Sequence, residues 1–432
     1  MTTRGRGRRR GPASLASATV ALALVLAGCG GTGSRAAEVT PAPTRTATPA
    51  ATVTSAVPDA SPAASPSRTP TPSPKALEPG EGAVTVLTYR GYAEYGANDR
   101  RVNWVGAFER ATGCRVNLRF PQTSDQMDRL VAQTAYDVVS APPEIGGRLI
   151  SEGKVAPLTT SLVPHYDEIP AWLRSQRSVT AGSQVYGVPY LWGWYATLYD
   201  SGKTRPAAAG ALYSDRGPVM LKDGPLTIAD AALTLKRQRP ELGIVDPYEL
   251  TRPQLDAATE LLGERRGGAE RSYWKEPIQA VQGFTGGSVR IGRALPYQLD
   301  ILRAAGRPVK ALKGEPTTGW VDSWMISAQA AAPNCAYRWI DWATTAKVQQ
   351  QASVWNVLAP ANPRACAWHS EETGKFRQTE QAKGICAAYR VTDGGWHKKI
   401  SFAVLPVKDC EGQDGQCTDY AEWTDRWRLL VH

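Results

Sequence analysis

The chain lacks the short signatures that mark most enzyme classes. Its 432 residues contain no Gly-x-Ser-x-Gly, no His-Glu-x-x-His and no phosphate-binding loop, so nothing points to an activated serine, a zinc-bound water or a cradled nucleotide. Only four histidines occur, His165, His369, His397 and His432, and none has an evident nucleophile partner. No Cys-x-x-Cys is present and the histidines are far apart, which argues against a zinc site. Gly30-Gly31-x-Gly33 lies in a low-complexity stretch that offers no scaffold for a phosphate. Lysine and arginine are interspersed with aspartate and glutamate, with no basic stripe of the kind that follows a phosphate backbone. Nucleic acid, a metal and an organic cofactor are therefore not expected, and the chain reads as non-enzymatic.

A long apolar run is also missing. Arg4, Arg6 and Arg8 to Arg10 precede an apolar stretch from about Leu15 to Leu26, which suits a secretory signal and is too short for a transmembrane span. It ends in Leu26-Ala27-Gly28-Cys29, which resembles the lipobox of bacterial lipoproteins. Cleavage before Cys29 and lipidation of its thiol would anchor the mature chain to the outer face of the cell membrane. Loss of residues 1–28 removes five arginines and no acid from a net charge of +10, leaving +5. Residues 29–80 then read as a tether of Ala, Thr, Ser and Pro, with ten prolines between Pro41 and Pro79. Such a stretch cannot bury enough apolar surface to offset its ordering entropy. At about 3 Å per residue in polyproline II geometry it could reach on the order of 150 Å.

Six cysteines remain once Cys29 carries lipid: Cys114, Cys335, Cys366, Cys386, Cys410 and Cys417. In an exported protein an even number predicts three disulfides, although fifteen pairings exist. Cys410 and Cys417 flank the Gly-containing stretch EGQDGQ and are expected to pair locally. Cys366 is assigned to Cys386, which leaves Cys114 for Cys335.

From Ala83 onward strand and helix patterns alternate. AVTVLTY and RVNLRF read as strands around a helix that carries Val105, Phe108 and Ala111 and stops at Gly113. A Thr123-x-x-Gln126 capping box opens the next helix, YDVVSA is a buried strand, and EIGGRLISEG is a helix ending at Gly153. The repetition implies an α/β fold with parallel strands and ligands beyond their carboxyl ends. The folded part is too long for one core, so two lobes are expected: residues 81–194, residues 195–321, and a return to the first lobe over 322–432. YGVPYLWGWYATLYD and GWVDSWMIS read as the two crossings, and one helix is expected from about Asn334 to Val354.

Aromatic residues recur beside isolated carboxylates. Tyr92, Glu94 and Tyr95 follow the first strand, Trp192 and Trp194 lie on the first crossing, and Trp320, Asp322 and Trp324 lie on the second. Aromatic faces attract cations and carboxylates accept charge-assisted hydrogen bonds from ammonium groups. Trp192 and Trp324 fit a core as well as a ligand wall. A Glu and an Asp in apolar surroundings need partners.

The ordered series YRGYAEY, ATGCRVNLRF, AYDVVSA, ISEGKVAPL, YGVPYLWGWYATLYD and GWVDSWMISAQAAAPNCAYRWIDWATTAKVQQQASVWNVLAPANP resembles the spermidine/putrescine-type periplasmic binding proteins of ABC importers. The likeness covers about Ala83 to Asn362 and the closing YAEWTDRWRLL. It implies a two-lobed, type II periplasmic-binding-protein fold, each lobe a mixed sheet flanked by helices. It further implies a monomer whose hinge closes on a small amine-bearing, polyamine-like solute and presents it to a membrane permease. Carried onto this chain, the resemblance assigns ligand contact to Tyr92, Glu94, Tyr95, Trp320 and Asp322. Further candidates are Glu144, Trp192, Trp194, Asp223 and Trp324. The chain also departs from that family. Its second-lobe acidic pair is represented by a shifted Asp223, with Gly224 and Thr227 where the acids would fall. Leu295 and Leu358 stand near two of its aromatic positions, and Pro142, Pro143 and Glu144 replace a Ser and Tyr. The alternatives are a binding protein for a neutral sugar or amino-acid derivative, a sensor or adhesion lipoprotein, and an extracellular glycan hydrolase using Glu94 and Asp322.

Overall fold

Ala83–Leu87 (AVTVL) presents apolar side chains to both faces of a sheet, the pattern of a strand covered on both sides. The structure, a computed structural model, describes residues 74–121, 124–264, 271–368, 378–410 and 416–431. The signal, Cys29, most of the tether, the Thr123 cap, His369 and His432 lie outside the described residues.

The strands are β1 (Ala83–Leu87), β2 (Arg115–Arg119), β3 (Val138–Ala141), β4 (Thr180–Ala181), β5 (Gln184–Val185), β6 (Gly187–Trp194), β7 (Ala196–Asp200), β8 (Val219–Lys222), β9 (Arg271–Trp274), β10 (Ile291–Ala294), β11 (Val309–Ala311), β12 (Thr317–Ile326), β13 (Ala359–Pro360) and β14 (Ile400–Phe402). The first sheet has the order β13-β6-β12-β3-β1-β2, with β14 added beside β12. β1 runs parallel to β2 and β3, while β12 runs antiparallel to β3 and β6. The second sheet has the order β11-β7-β10-β8-β9, with β8, β9 and β10 parallel and β7 and β11 antiparallel to their neighbours. Each lobe is thus a mixed sheet flanked by helices.

Local chemistry sets the helix ends. Asn103 accepts the Gly106 N–H at 2.7 Å and caps the helix Trp104–Thr112, which Gly113 terminates in the left-handed region at φ 73°. The expected helix from Asn334 to Val354 is instead two, Pro333–Thr344 and Ala346–Asn356. Thr345 between them takes an extended ψ of 144°, and its hydroxyl accepts the Val348 N–H, so it starts a new helix.

Only Tyr195 separates β6 from β7, yet these strands belong to different sheets. The Tyr195 N–H donates to the Thr318 carbonyl at 3.0 Å, which ties this crossing to β12. The chain regains the first sheet at Thr317, because β12 pairs with β14 from Thr317 and with β6 from Gly319 to Met325. The C-terminal helix Tyr420–Val431 departs from the expected return to the first lobe. Trp423 and Trp427 bury in the core of the second lobe, beside Leu255 and Leu262 of the helix Arg252–Gly263. Their apolar faces decide this placement, and a bridge between Thr251 and Cys417 leads the chain there.

Disulfides join Cys114 to Cys335, Cys366 to Cys386 and Cys410 to Cys417, across sequence separations of 221, 20 and 7. The first links the start of β2 to the helix Pro333–Thr344, two elements of one lobe.

Candidate functional site

Asp322 sits on β12 where the pairing register with β6 shifts, and it is buried. The Tyr92 hydroxyl donates to its Oδ2 at 2.5 Å, and the Trp320 indole Nε1 donates to the same oxygen at 3.1 Å. Tyr92 is positioned in turn by Tyr190, whose hydroxyl donates to the Tyr92 carbonyl at 3.1 Å and whose ring meets it edge-on at 5.7 Å. Gly91, at φ 90°, permits the turn that brings Tyr92 back after β1. No lysine, arginine or histidine among the described residues pairs with Asp322 within 4.0 Å. Burial pushes its carboxyl up to about 7. The hydrogen bonds from Tyr92 and Trp320 oppose that rise, and the charge of Glu144 adds to it. The Tyr92 phenol is also pushed well up, by burial first and then by the Asp322 charge.

A run of aromatic rings leads from this carboxylate into the second lobe. Tyr195 stacks on Trp320 with ring centroids 5.0 Å apart, and Trp274 meets Tyr195 edge-on at 6.1 Å. The Lys222 ammonium lies 5.1 Å from the centre of the Trp274 ring and donates to the Asp223 carbonyl at 2.6 Å. Glu144, in the first turn of the helix Pro143–Ser151, belongs to the first lobe. Burial raises its carboxyl, the Asp128 charge adds to that, and Lys222 and Arg148 pull it back. Burial lowers the Lys222 ammonium, while the charges of Asp223 and Glu144 oppose the fall. Glu144 of the first lobe therefore acts on both the Asp322 carboxylate and the second-lobe Lys222 ammonium.

The remaining sequence candidates divide. Glu94 is buried and accepts the Trp355 indole N–H at 3.1 Å. Burial raises its carboxyl against the pull of Trp355, a Gly91 backbone contact and Arg90. Tyr95 is 46% exposed and stacks on Phe120, apart from the Tyr92–Asp322 pair. Trp192 is core: its indole donates to the Pro360 carbonyl at 3.0 Å and its ring meets Trp172 edge-on. Trp324 is core as well, packed between Tyr190 and Trp339. Trp194 donates to the Tyr389 carbonyl and packs on Trp396. Asp223 is diverted, because its carboxylate accepts the Trp427 indole N–H at 2.8 Å and pairs with Lys275 at 3.7 Å. The docking of the C-terminal helix is what takes it. His165 pairs with Asp341, and His397 stacks on Trp172 at 4.7 Å. No group of three or more His, Cys, Asp or Glu among the described residues is placed to hold a metal ion.

Sequence reasoning missed Tyr195, Lys222 and Trp274. Tyr195 stood inside the aromatic crossing and Lys222 beside Asp223, but neither spacing nor composition singled them out. It also missed a buried ion pair, Arg293 to Asp230 at 2.8 Å, that braces the crossing. Thr318 donates to Asp230 at 2.6 Å, and Arg293 reaches the Tyr195 carbonyl and the hydroxyls of Thr197 and Thr317.

Solved structures share this architecture. A spermidine/putrescine ABC transporter substrate-binding protein from Streptococcus pneumoniae matches with a TM-score of 0.56 and 15% identity, over 81% of this chain and 99% of that one. An ABC transporter substrate-binding protein from Bradyrhizobium japonicum matches with a TM-score of 0.56 and 17% identity, over 82% and 100% of the two chains. At these identities the likeness is one of fold. A curated relative, the putrescine/agmatine-binding protein of Pseudomonas aeruginosa, is 32% identical over 101 residues, 23% of this chain. That match spans only 28% of the relative's own length. A family model described as bacterial extracellular solute-binding protein matches residues 103–375, well over half of the chain. With a two-lobed fold and a buried carboxylate, Asp322, held by Tyr92 and Trp320, the chain belongs to the family of bacterial extracellular solute-binding proteins.

Proposed function

We propose that this chain is the solute-binding component of an ABC importer and captures a small amine-bearing solute between its lobes for delivery to a membrane permease. The observation that carries this reading is Asp322. A buried carboxylate with no cationic partner is costly, and an ammonium group would supply the missing charge. The hydrogen bonds it accepts from Tyr92 and Trp320 both go to Oδ2, and the ligand ammonium is assigned to Oδ1. The Tyr92 and Trp320 rings flank this carboxylate, where their π-systems would attract the cation. Putrescine, agmatine and spermidine, named for the relatives above, have this chemistry. Tyr195, alone between β6 and β7, is the natural hinge, and a ligand touching both lobes favours the closed state. Binding without catalysis, export, and anchorage through lipid on Cys29 belong to the same proposal.

Titration calorimetry of the full chain with putrescine, agmatine and spermidine tests the site. Saturable binding to the wild type that is lost in Asp322→Asn supports it. Equal affinity in the two proteins removes Asp322 from the binding role.

A further inference from the structure

Lys222 ends β8 and Trp274 ends β9, and the two are direct neighbours in the ladder. Both therefore stand at the carboxyl end of parallel strands, where open α/β sheets receive ligands. The Lys222 ammonium is held over the Trp274 ring and by the Asp223 carbonyl. An ammonium has three donors, and no carboxylate among the described residues pairs with Lys222 within 4.0 Å. The adjacent acid is occupied, since Asp223 faces Trp427 and Lys275. A run of contacts, Lys222 over Trp274, Trp274 against Tyr195 and Tyr195 on Trp320, links the fixed cation to the Asp322 carboxylate, and the charge of Glu144 acts on both ends.

We propose that Lys222 forms an anion subsite at the second-lobe end of the cleft, so that the solute is an ω-amino acid, with an ammonium at Asp322 and a carboxylate at Lys222. The inference rests on the reading of Asp322 as an amine anchor. A diamine would set its second ammonium beside that of Lys222, a like-charge contact with little water to screen it. A carboxylate there accepts charge-assisted hydrogen bonds instead.

The test is calorimetric titration of the full chain with δ-aminovalerate, pentylamine and cadaverine, which share a five-carbon chain and differ only at the second end. The wild type is expected to bind δ-aminovalerate at least about tenfold tighter than pentylamine, and cadaverine more weakly than either. Lys222→Met keeps the alkyl stem on Trp274 and should abolish the preference for the carboxylate. Lys222→Glu should reverse it in favour of cadaverine. Cadaverine binding the wild type as tightly as δ-aminovalerate overturns the anion subsite while leaving the amine anchor intact, as does a preference that survives Lys222→Met. Failure of all three probes, or binding unaffected by Asp322→Asn, overturns the amine anchor itself.

Discussion

The Tyr92 hydroxyl and the Asp322 carboxylate, 230 residues apart in sequence, meet at 2.5 Å in the interior of the protein. One comes from the turn after β1 and the other from β12, and β3 lies between these strands in the sheet. The hydrogen bond holds a carboxylate that pairs with no lysine, arginine or histidine among the described residues.

Burial raises Asp322 to about 7 from an ordinary value of 3.8. The folded protein therefore binds a proton more tightly than the unfolded chain. In the ligand-free protein this group should lower stability as pH rises from about 4 to about 7, by a few kcal/mol at most. Urea denaturation across that window should show the decline, and Asp322→Asn should flatten it.

Amine binding should run the opposite way. Only the ionised carboxylate pairs with an ammonium, so affinity for putrescine or δ-aminovalerate should rise through about pH 7 and level off above it. A flat pH profile by calorimetry would contradict a titrating anchor.

Tyr92→Phe keeps the ring and removes the donor to Oδ2. Loss of a hydrogen bond to a charged acceptor should raise the Asp322 pKa further and weaken amine binding at pH 7. Tyr92→Ala also removes the ring, which should cost a further 0.5–2 kcal/mol or so of binding energy if a cation–π contact is made. Comparison of the three dissociation constants separates the two contributions.

Asp230→Ala would leave Arg293 buried beneath the crossing without its carboxylate. Breaking such a pair should cost about 3–5 kcal/mol of stability. Replacing both residues by apolar ones should cost less than Asp230→Ala alone, which denaturation of the single and double variants would reveal.

Reduction of the disulfides should lower the melting temperature, with Cys114–Cys335 contributing most because it closes the longest loop, 221 residues. A typical contribution is about 2–4 kcal/mol. Thiol titration of the denatured, non-reduced chain should find none of these six cysteines free.

The parts of the fold legible in the sequence were those that short-range chemistry sets. Alternating burial marked β2, Gly113 stopped a helix, and the aromatic crossing YGVPYLWGWYATLYD ran into a second sheet. The break at Thr345 was missed because no glycine or proline marks it, and the structure shows it through the extended backbone of Thr345 and the cap its hydroxyl makes to the Val348 N–H. The site was legible as residue types rather than as partners. Tyr92, Trp320 and Asp322 come together, whereas Tyr95 stays at the surface and Trp192 and Trp324 enter the core.

By itself the sequence determined strand and helix order, the alternation between two lobes and the supply of aromatic rings and carboxylates, because periodicity, caps and charge act over a few residues. Only the tertiary structure decided which partners each of these carboxylates meets. The C-terminal helix reaches back to occupy Asp223 through Trp427, Trp355 comes to Glu94, and the Lys222 ammonium comes to lie over the Trp274 ring. Those outcomes depend on which apolar faces bury against one another across hundreds of residues, a competition that no local pattern records.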